Sequence, residues 1–153
     1  MRIYLMQHGK PVPKEDDPDK PLSDQGRDDI ARMAGFLEKC NIKVDEVLQS
    51  GKARARQTAE IIISRLKPGE KSIKKDGLSP MDDVKEIVSD IKGGDKDLMI
   101  VGHLPHLAKL TSLLITGNEL SPVVAFQQGG VVCLASDNGG EWAIAWMLVP
   151  EII

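Results

Sequence analysis

Two histidines with matched surroundings are the side chains of this sequence best suited to chemistry: His8, in Arg2-Ile3-Tyr4-Leu5-Met6-Gln7-His8-Gly9, and His103, in Leu98-Met99-Ile100-Val101-Gly102-His103. Each ends an apolar run and sits beside a glycine. The chain has only three histidines, so two in one local context is not an expected accident of composition. A neutral imidazole attacks phosphorus when its other nitrogen is held by a hydrogen bond that fixes the tautomer. Gly9 leaves room for backbone N–H groups to approach a phosphoryl oxygen. Arg54 lies about one turn into a helical pattern, where a guanidinium forks two hydrogen bonds onto phosphate oxygens and the helix N-terminus adds a positive field. His103 precedes a helix that Pro105 starts, which places it to donate to the same phosphate. Together these residues point to in-line phosphoryl transfer in a pre-organised anion site.

Such a site needs elements that bring distant residues to one place. Residues 3–6 and 98–101 are short, nearly continuous apolar runs, the pattern of strands covered on both faces. Residues 44–48 read as another strand, broken at Gln49-Ser50-Gly51. Ser23 opens a helix with Ile30, Met33, Ala34 and Leu37 on one face, ending near Cys40-Asn41. A second helix runs over residues 52–66 and stops at Pro68-Gly69. A third runs over residues 82–91 through Val84, Ile87, Val88 and Ile91, ended by Gly93-Gly94, and a fourth has Pro105 in its first turn. Residues 10–21, with Pro11, Pro13, Pro18 and Pro21, read as an exposed loop over the strand end. Residues 72–75 suit a short edge strand, and residues 131–135 and 142–149 a hairpin through Asp137-Asn138-Gly139-Gly140. The alternation predicts an α/β fold: a three-layer α/β/α sandwich with a mostly parallel central sheet and an antiparallel edge. In such sheets the functional crevice lies beyond the carboxyl ends of the strands, where His8, Ser50 and His103 all fall.

The chain of 153 residues suits one domain spanning residues 1–153. Twenty basic against 23 acidic side chains give a net charge of −3, so any attraction for anions is local, and nucleic acid and anionic lipid are not expected partners. The N-terminus lacks the pattern of a secretory signal and no apolar run reaches the ~20 residues of a membrane span, so a cytoplasmic protein is expected. Cys40 and Cys133 lack metal-ligand spacing and read as inert, buried thiols. His106 reads as a surface histidine. Arg56 reads as pointing to solvent or an ion pair.

The strand ending in His-Gly, the Pro21-Leu22-Ser23-Asp24-Gln25-Gly26 stretch, the segment from Ser50 through Arg54-Ala55-Arg56-Gln57-Thr58-Ala59-Glu60, and Val101-Gly102-His103-Leu104-Pro105 together resemble the histidine phosphatase superfamily, also called phosphoglycerate-mutase-like. The match keeps the motif order over residues 1–116. Gly77-Leu78-Ser79-Pro80 is similar to a Leu-Thr-Pro-like stretch of its small SixA-type members, the phosphohistidine phosphatases. The resemblance implies a phosphoglycerate-mutase-like fold and a cofactor-free, metal-independent phosphatase. In it His8 takes the phosphoryl group, Arg54 clamps it and His103 is the second pocket histidine. It also implies that Gln7, Gly9, Lys20 and Gly102 contribute to substrate binding, Lys20 by analogy with a basic residue often found before the family's Pro-Leu. The expected partner is a phosphorylated protein carrying phosphohistidine, or else a small phosphorylated substrate.

Two departures matter. The family's first motif is Arg-His-Gly, whereas this chain has Gln7, which lacks both the charge and the rigid fork of a guanidinium. Losing one such donor typically costs about 2.7–4 kcal/mol of transition-state stabilisation. A weak or inactive phosphate-binding module is therefore an alternative, and Lys20 a candidate replacement charge. The second concerns a proton donor for an alkoxide leaving group, for which only Asp82 and Asp83, after Pro80, are local carboxylates. The short chain also lacks the large insertion that mutases place over the pocket, which favours an open site.

Overall fold

A computed structural model describes residues 1–67, 69, 71–137 and 140–153. The expected helix stop at Pro68 and turn at Asn138-Gly139 lie outside the described residues. Period-two alternation in the central strands sorts side chains onto two faces. β1 (Arg2–Gln7) sends Ile3 and Leu5 to one face and Tyr4 and Met6 to the other, while β4 (Leu98–Gly102) divides Leu98 and Ile100 from Met99 and Val101. The first face is covered by α3 (Val84–Gly93) and α4 (His106–Thr116), through Ile87, Ile91, Leu107 and Leu110. The second is covered by α1 (Asp24–Lys39) and α2 (Ala53–Leu66), through Ile30, Met33, Leu37, Ala59 and Ile62. The result is the expected three-layer α/β/α sandwich.

β2 (Glu46–Gln49) and β3 (Ile73–Lys74) complete the parallel part, and β5 (Val131–Ser136) and β6 (Trp142–Leu148) form the antiparallel edge, in the order β3-β2-β4-β1-β5-β6. β4 therefore lies between β1 and β2 although it follows both in sequence. Its register pairs Gln7 with Gly102 and Gln49 with Val101, so the residues that leave the strands next, His8, His103 and Ser50, emerge side by side. That juxtaposition is the switch point at which α/β sheets form crevices.

Local chemistry sets the element ends. Ser23 caps α1 by accepting from the Gly26 N–H, and Asp83 caps α3 by accepting from the Lys85 N–H. Capping by Asp83 moves the start of α3 two residues past the expected Asp82. Pro105 occupies the N-cap of α4 rather than its first turn. Cys133 is buried as expected, but Cys40 is exposed, because the last inward position of α1 is Leu37 and Cys40 falls on the C-cap beyond it. At the C-terminus, Pro150–Ile152 forms a 3-10 turn docked on α1, where the Arg32 guanidinium donates to the carbonyls of Pro150 (3.0 Å) and Ile153 (3.3 Å). No helix among the described residues is long and apolar enough to cross a membrane.

Candidate active site

The rings of His8 and His103 lie with centroids 5.0 Å apart at 50° to one another. Both are buried, at 7% and 1% exposure. His8 Nδ1 is 2.7 Å from the Gly9 carbonyl oxygen. A carbonyl only accepts, so Nδ1 carries the ring hydrogen and Nε2 keeps its lone pair, the state a nucleophile needs. Burial, followed by the positive charges of Arg54 and Lys20, pushes the His8 pKa down to about 4 against the opposing pull of the Gly9 carbonyl. At neutral pH this imidazole is uncharged.

His8 is held from three sides. Its N–H donates to the Gly102 carbonyl at 3.1 Å, and the Gly129 N–H lies 3.0 Å from the Gln7 carbonyl and 3.2 Å from that of His8. The Gly9 N–H donates to Thr58 Oγ1 at 3.1 Å, and that hydroxyl donates to the Arg54 carbonyl at 2.8 Å. The Gly9 amide is thus directed at Thr58. Gly9 is small for a packing reason: a Cβ there would come within 2.9 Å of Ile30, 3.0 Å of Leu22 and 3.1 Å of the Gly26 carbonyl. Gly26 answers it from α1, where a Cβ would sit 2.2 Å from the Lys10 carbonyl. The two glycines let the chain leaving β1 cross the start of α1 at close range. Gly102 contributes its carbonyl to His8, and a Cβ on it would press on Leu107 at 3.3 Å.

Arg54 enters in the first turn of α2. Its Nε is buried without a hydrogen-bond partner, and no carboxylate pairs with it among the described residues. Burial lowers its pKa. An unneutralised, partly desolvated guanidinium beside a neutral histidine pair has the chemistry to attract an anion. A cavity of about 420 Å³ opens beside it, between Pro18 and Asp19 on one side and residues 51–54 and Arg56 on the other. Arg56 pairs with Glu60 at 2.9 Å on the exposed face, as its spacing suggests.

His103 hydrogen-bonds through Nε2 to Ser50 Oγ at 2.6 Å, while its Nδ1 is buried without a partner. Burial is the main cause of its pKa of about 3, with His8, Arg54, Lys52 and His106 adding to it. Lys20 is half-buried, at a left-handed φ of +49°, close enough for its charge to act on His8. Its loop is fastened rather than free: Val12 N–H donates to the Pro21 carbonyl at 2.8 Å, and Leu22 N–H to Gln57 Oε1 at 2.7 Å.

A family model for the histidine phosphatase superfamily (branch 1) matches residues 3–82, which is more than half of the chain. The chain belongs to the histidine phosphatase superfamily. It is 25% identical over 155 residues to the phosphohistidine phosphatase SixA of Escherichia coli, covering 98% of this chain and 94% of that protein. Its fold matches a structure of the protein histidine phosphatase SixA complexed with tungstate, with a TM-score of 0.86, 24% identity, and 98% and 97% of the two chains covered. It also matches the alpha-ribazole phosphatase of Shigella flexneri, with a TM-score of 0.77, 16% identity, and 98% and 97% covered. The phosphoglycerate-mutase-like architecture is therefore the one this member of the superfamily adopts.

Within that superfamily frame, Gln7 is buried at 8% exposure with Oε1 unpartnered, beside His8. The two carboxylates after Pro80 both serve structure: Asp82 accepts from the Ser79 N–H at 2.9 Å and Asp83 caps α3. Neither is among the charges that act on His8. His106 is not on the surface but 1% exposed: it is a buried residue at the first position of α4, near Gly77, Asp82 and Asp83. Neither of its ring nitrogens makes a hydrogen bond. Burial lowers its pKa, opposed by the nearby Gly77 backbone and the charges of Asp82 and Asp83. The sequence reading missed Thr58 and Gln57 as supports of the site. The available signal was spacing: Thr58 is four residues after Arg54 on the buried face of α2, where a threonine hydroxyl that donates back to the i−4 carbonyl still accepts from a neighbouring N–H.

Proposed function

We propose that this protein is a metal-independent phosphatase that acts through a phosphohistidine on His8, with protein phosphohistidine as its substrate. The observation that carries the reading is the state of His8: neutral, with Nδ1–H held by the Gly9 carbonyl and Nε2 free, next to an unneutralised Arg54. In the first step the Nε2 lone pair of His8 forms a bond to phosphorus as the bond from phosphorus to the substrate imidazole breaks. The departing imidazole nitrogen then takes a proton from water. In the second step water attacks phosphorus, the His8–phosphorus bond breaks, and inorganic phosphate leaves. Arg54 and His103 hold the equatorial oxygens through both steps.

The substrate assignment is supported by the leaving group. An imidazole asks less of a general acid than an alkoxide does, and both local carboxylates, Asp82 and Asp83, are committed to backbone N–H groups. Hydrolysis of a phosphohistidine protein and of an aryl phosphate by wild type and by His8→Ala tests the reading. Loss of both activities in the variant, with the phosphohistidine protein preferred by wild type, is the expected result. Equal activity in wild type and variant overturns it, and preference for the small ester points to a phosphomonoesterase.

A second reading, in which the protein binds phosphate or a phosphoprotein without turning it over, is favoured by Gln7, which supplies no charge where the family has a second guanidinium. It predicts measurable phosphate binding with no release of phosphate in a single turnover.

A further inference from the structure

His103 has one nitrogen engaged and one idle. Nε2 meets Ser50 Oγ at 2.6 Å, Nδ1 is buried without a partner, and the ring as a whole lies with its centroid 5.0 Å from that of His8. Ser50 is the first residue beyond β2 and lies four residues before Arg54, so one short segment delivers both the guanidinium and this hydroxyl. The β2–β4 register, with Gln49 opposite Val101, brings Ser50 alongside the end of β4. Its hydroxyl also receives a long contact, 3.4 Å, from the Lys52 N–H at the entry to α2.

A hydroxyl either donates to a bare ring nitrogen or accepts from a protonated one. The two choices have opposite consequences for the pocket. When Ser50 donates to Nε2, the single hydrogen of neutral His103 sits on Nδ1, and the idle nitrogen offers a donor to an oxyanion. When Nε2–H donates to Ser50, Nδ1 presents a lone pair to that oxyanion, which is repulsive. An anion site flanked by Arg54 is consistent only with the first.

We propose that Ser50 is a positioning residue: its hydroxyl donates to His103 Nε2, places the ring hydrogen on Nδ1, and so turns His103 into a phosphoryl-oxygen donor while the ring is neutral. The role rests on the phosphoryl site described under the proposed function. The hydroxyl suits it better than a fixed acceptor or donor, because it reverses by rotation if His103 gains a second proton during turnover.

The test is nitrogen NMR of the histidine-labelled full chain, with His103 assigned by the signal lost in His103→Gln, recorded free and with inorganic phosphate. Wild-type His103 is expected in the Nδ1–H form, and Ser50→Ala is expected to shift it toward the Nε2–H form that free imidazole side chains prefer. Ser50→Ala is also expected to lower kcat about tenfold on an aryl phosphate, and Ser50→Thr to restore both tautomer and rate. An Nε2–H signal in wild type overturns the proposal without recourse to any variant. An unchanged tautomer in folded Ser50→Ala overturns it too. The tautomer readout is independent of turnover, so absence of a phosphohistidine on His8 sinks the phosphatase reading and leaves this assignment to be judged by the spectrum.

Discussion

Thr58→Val removes one hydroxyl and keeps the shape of the side chain, in a position with no exposed surface. In the native chain that hydroxyl accepts the Gly9 N–H at 3.1 Å and donates to the Arg54 carbonyl at 2.8 Å. The Arg54 carbonyl keeps its place in the helix ladder, but the N–H of the buried Gly9 is left without a partner. A buried donor left unsatisfied costs about 1–3 kcal/mol. For a domain of this size each kcal/mol lowers Tm by about 2–4 °C, so a loss centred on 2 kcal/mol corresponds to about 4–8 °C. The peptide that Thr58 fixes is the one joining His8 to Gly9. A relaxed His8 ring no longer approaches phosphorus along one line, and kcat is expected to fall about tenfold with little change in KM. Thermal unfolding followed by circular dichroism, with steady-state hydrolysis of an aryl phosphate, measures both. Thr58→Ser, which keeps the hydroxyl and loses a methyl group, separates the hydrogen bond from packing: it is expected to retain most of the activity and to be the more stable variant. A Thr58→Val protein as stable and as active as wild type refutes the reasoning.

Four further outcomes follow from the same geometry. Gly26→Ala places a Cβ 2.2 Å from the Lys10 carbonyl, a clash with backbone, and is expected to destabilise by about 3 kcal/mol or more in denaturant titration; a change under 1 kcal/mol contradicts the packing described. Because the free His8 has its pKa near 4, kcat/KM is expected to rise from pH 3 to 5 and stay flat to pH 7, and an inflection near 6.5 instead contradicts the buried, neutral His8. The same depression makes stability fall with acid: between the unfolded value of 6.5 and the folded value of about 4 the unfolded chain binds an extra proton at His8, and His103 extends the effect to about 3, so unfolding free energy measured in urea is expected to decline as pH falls from 6.5 toward 3. Gln7→Arg is expected to raise kcat/KM tenfold or more by restoring a second guanidinium, and an unchanged or lower value identifies Gln7 as part of a rebuilt pocket.

Much of the fold was legible because β1 and β4 are apolar on both faces and the helices carry one apolar stripe each. The same signals placed His8, Ser50 and His103 at strand ends. What patterning does not contain is strand order. That β4 inserts between β1 and β2, and so brings Gln7 opposite Gly102, depends on long-range pairing that local periodicity does not encode. Gly9 was legible as a glycine but not as a packing glycine, since its neighbours Leu22, Gly26 and Ile30 come from a stretch more than ten residues away. His106 and Cys40 went opposite ways for related reasons: each lies at a helix terminus, where a shift of one residue decides whether a side chain turns inward or out. Asp83 was read for its charge, whereas its position before Val84 made it a cap.

The central claim is that His8 Nε2 carries the phosphoryl group. Rapid quenching of the protein with a phosphohistidine substrate, under conditions that preserve acid-labile phosphate, followed by mass spectrometry of the peptides, tests it most directly. The expected result is a phosphoryl group on His8 that appears within one turnover, decays as phosphate is released, and is absent from His8→Ala. Turnover with no phosphoryl group on His8, or with an undiminished rate in His8→Ala, contradicts the account.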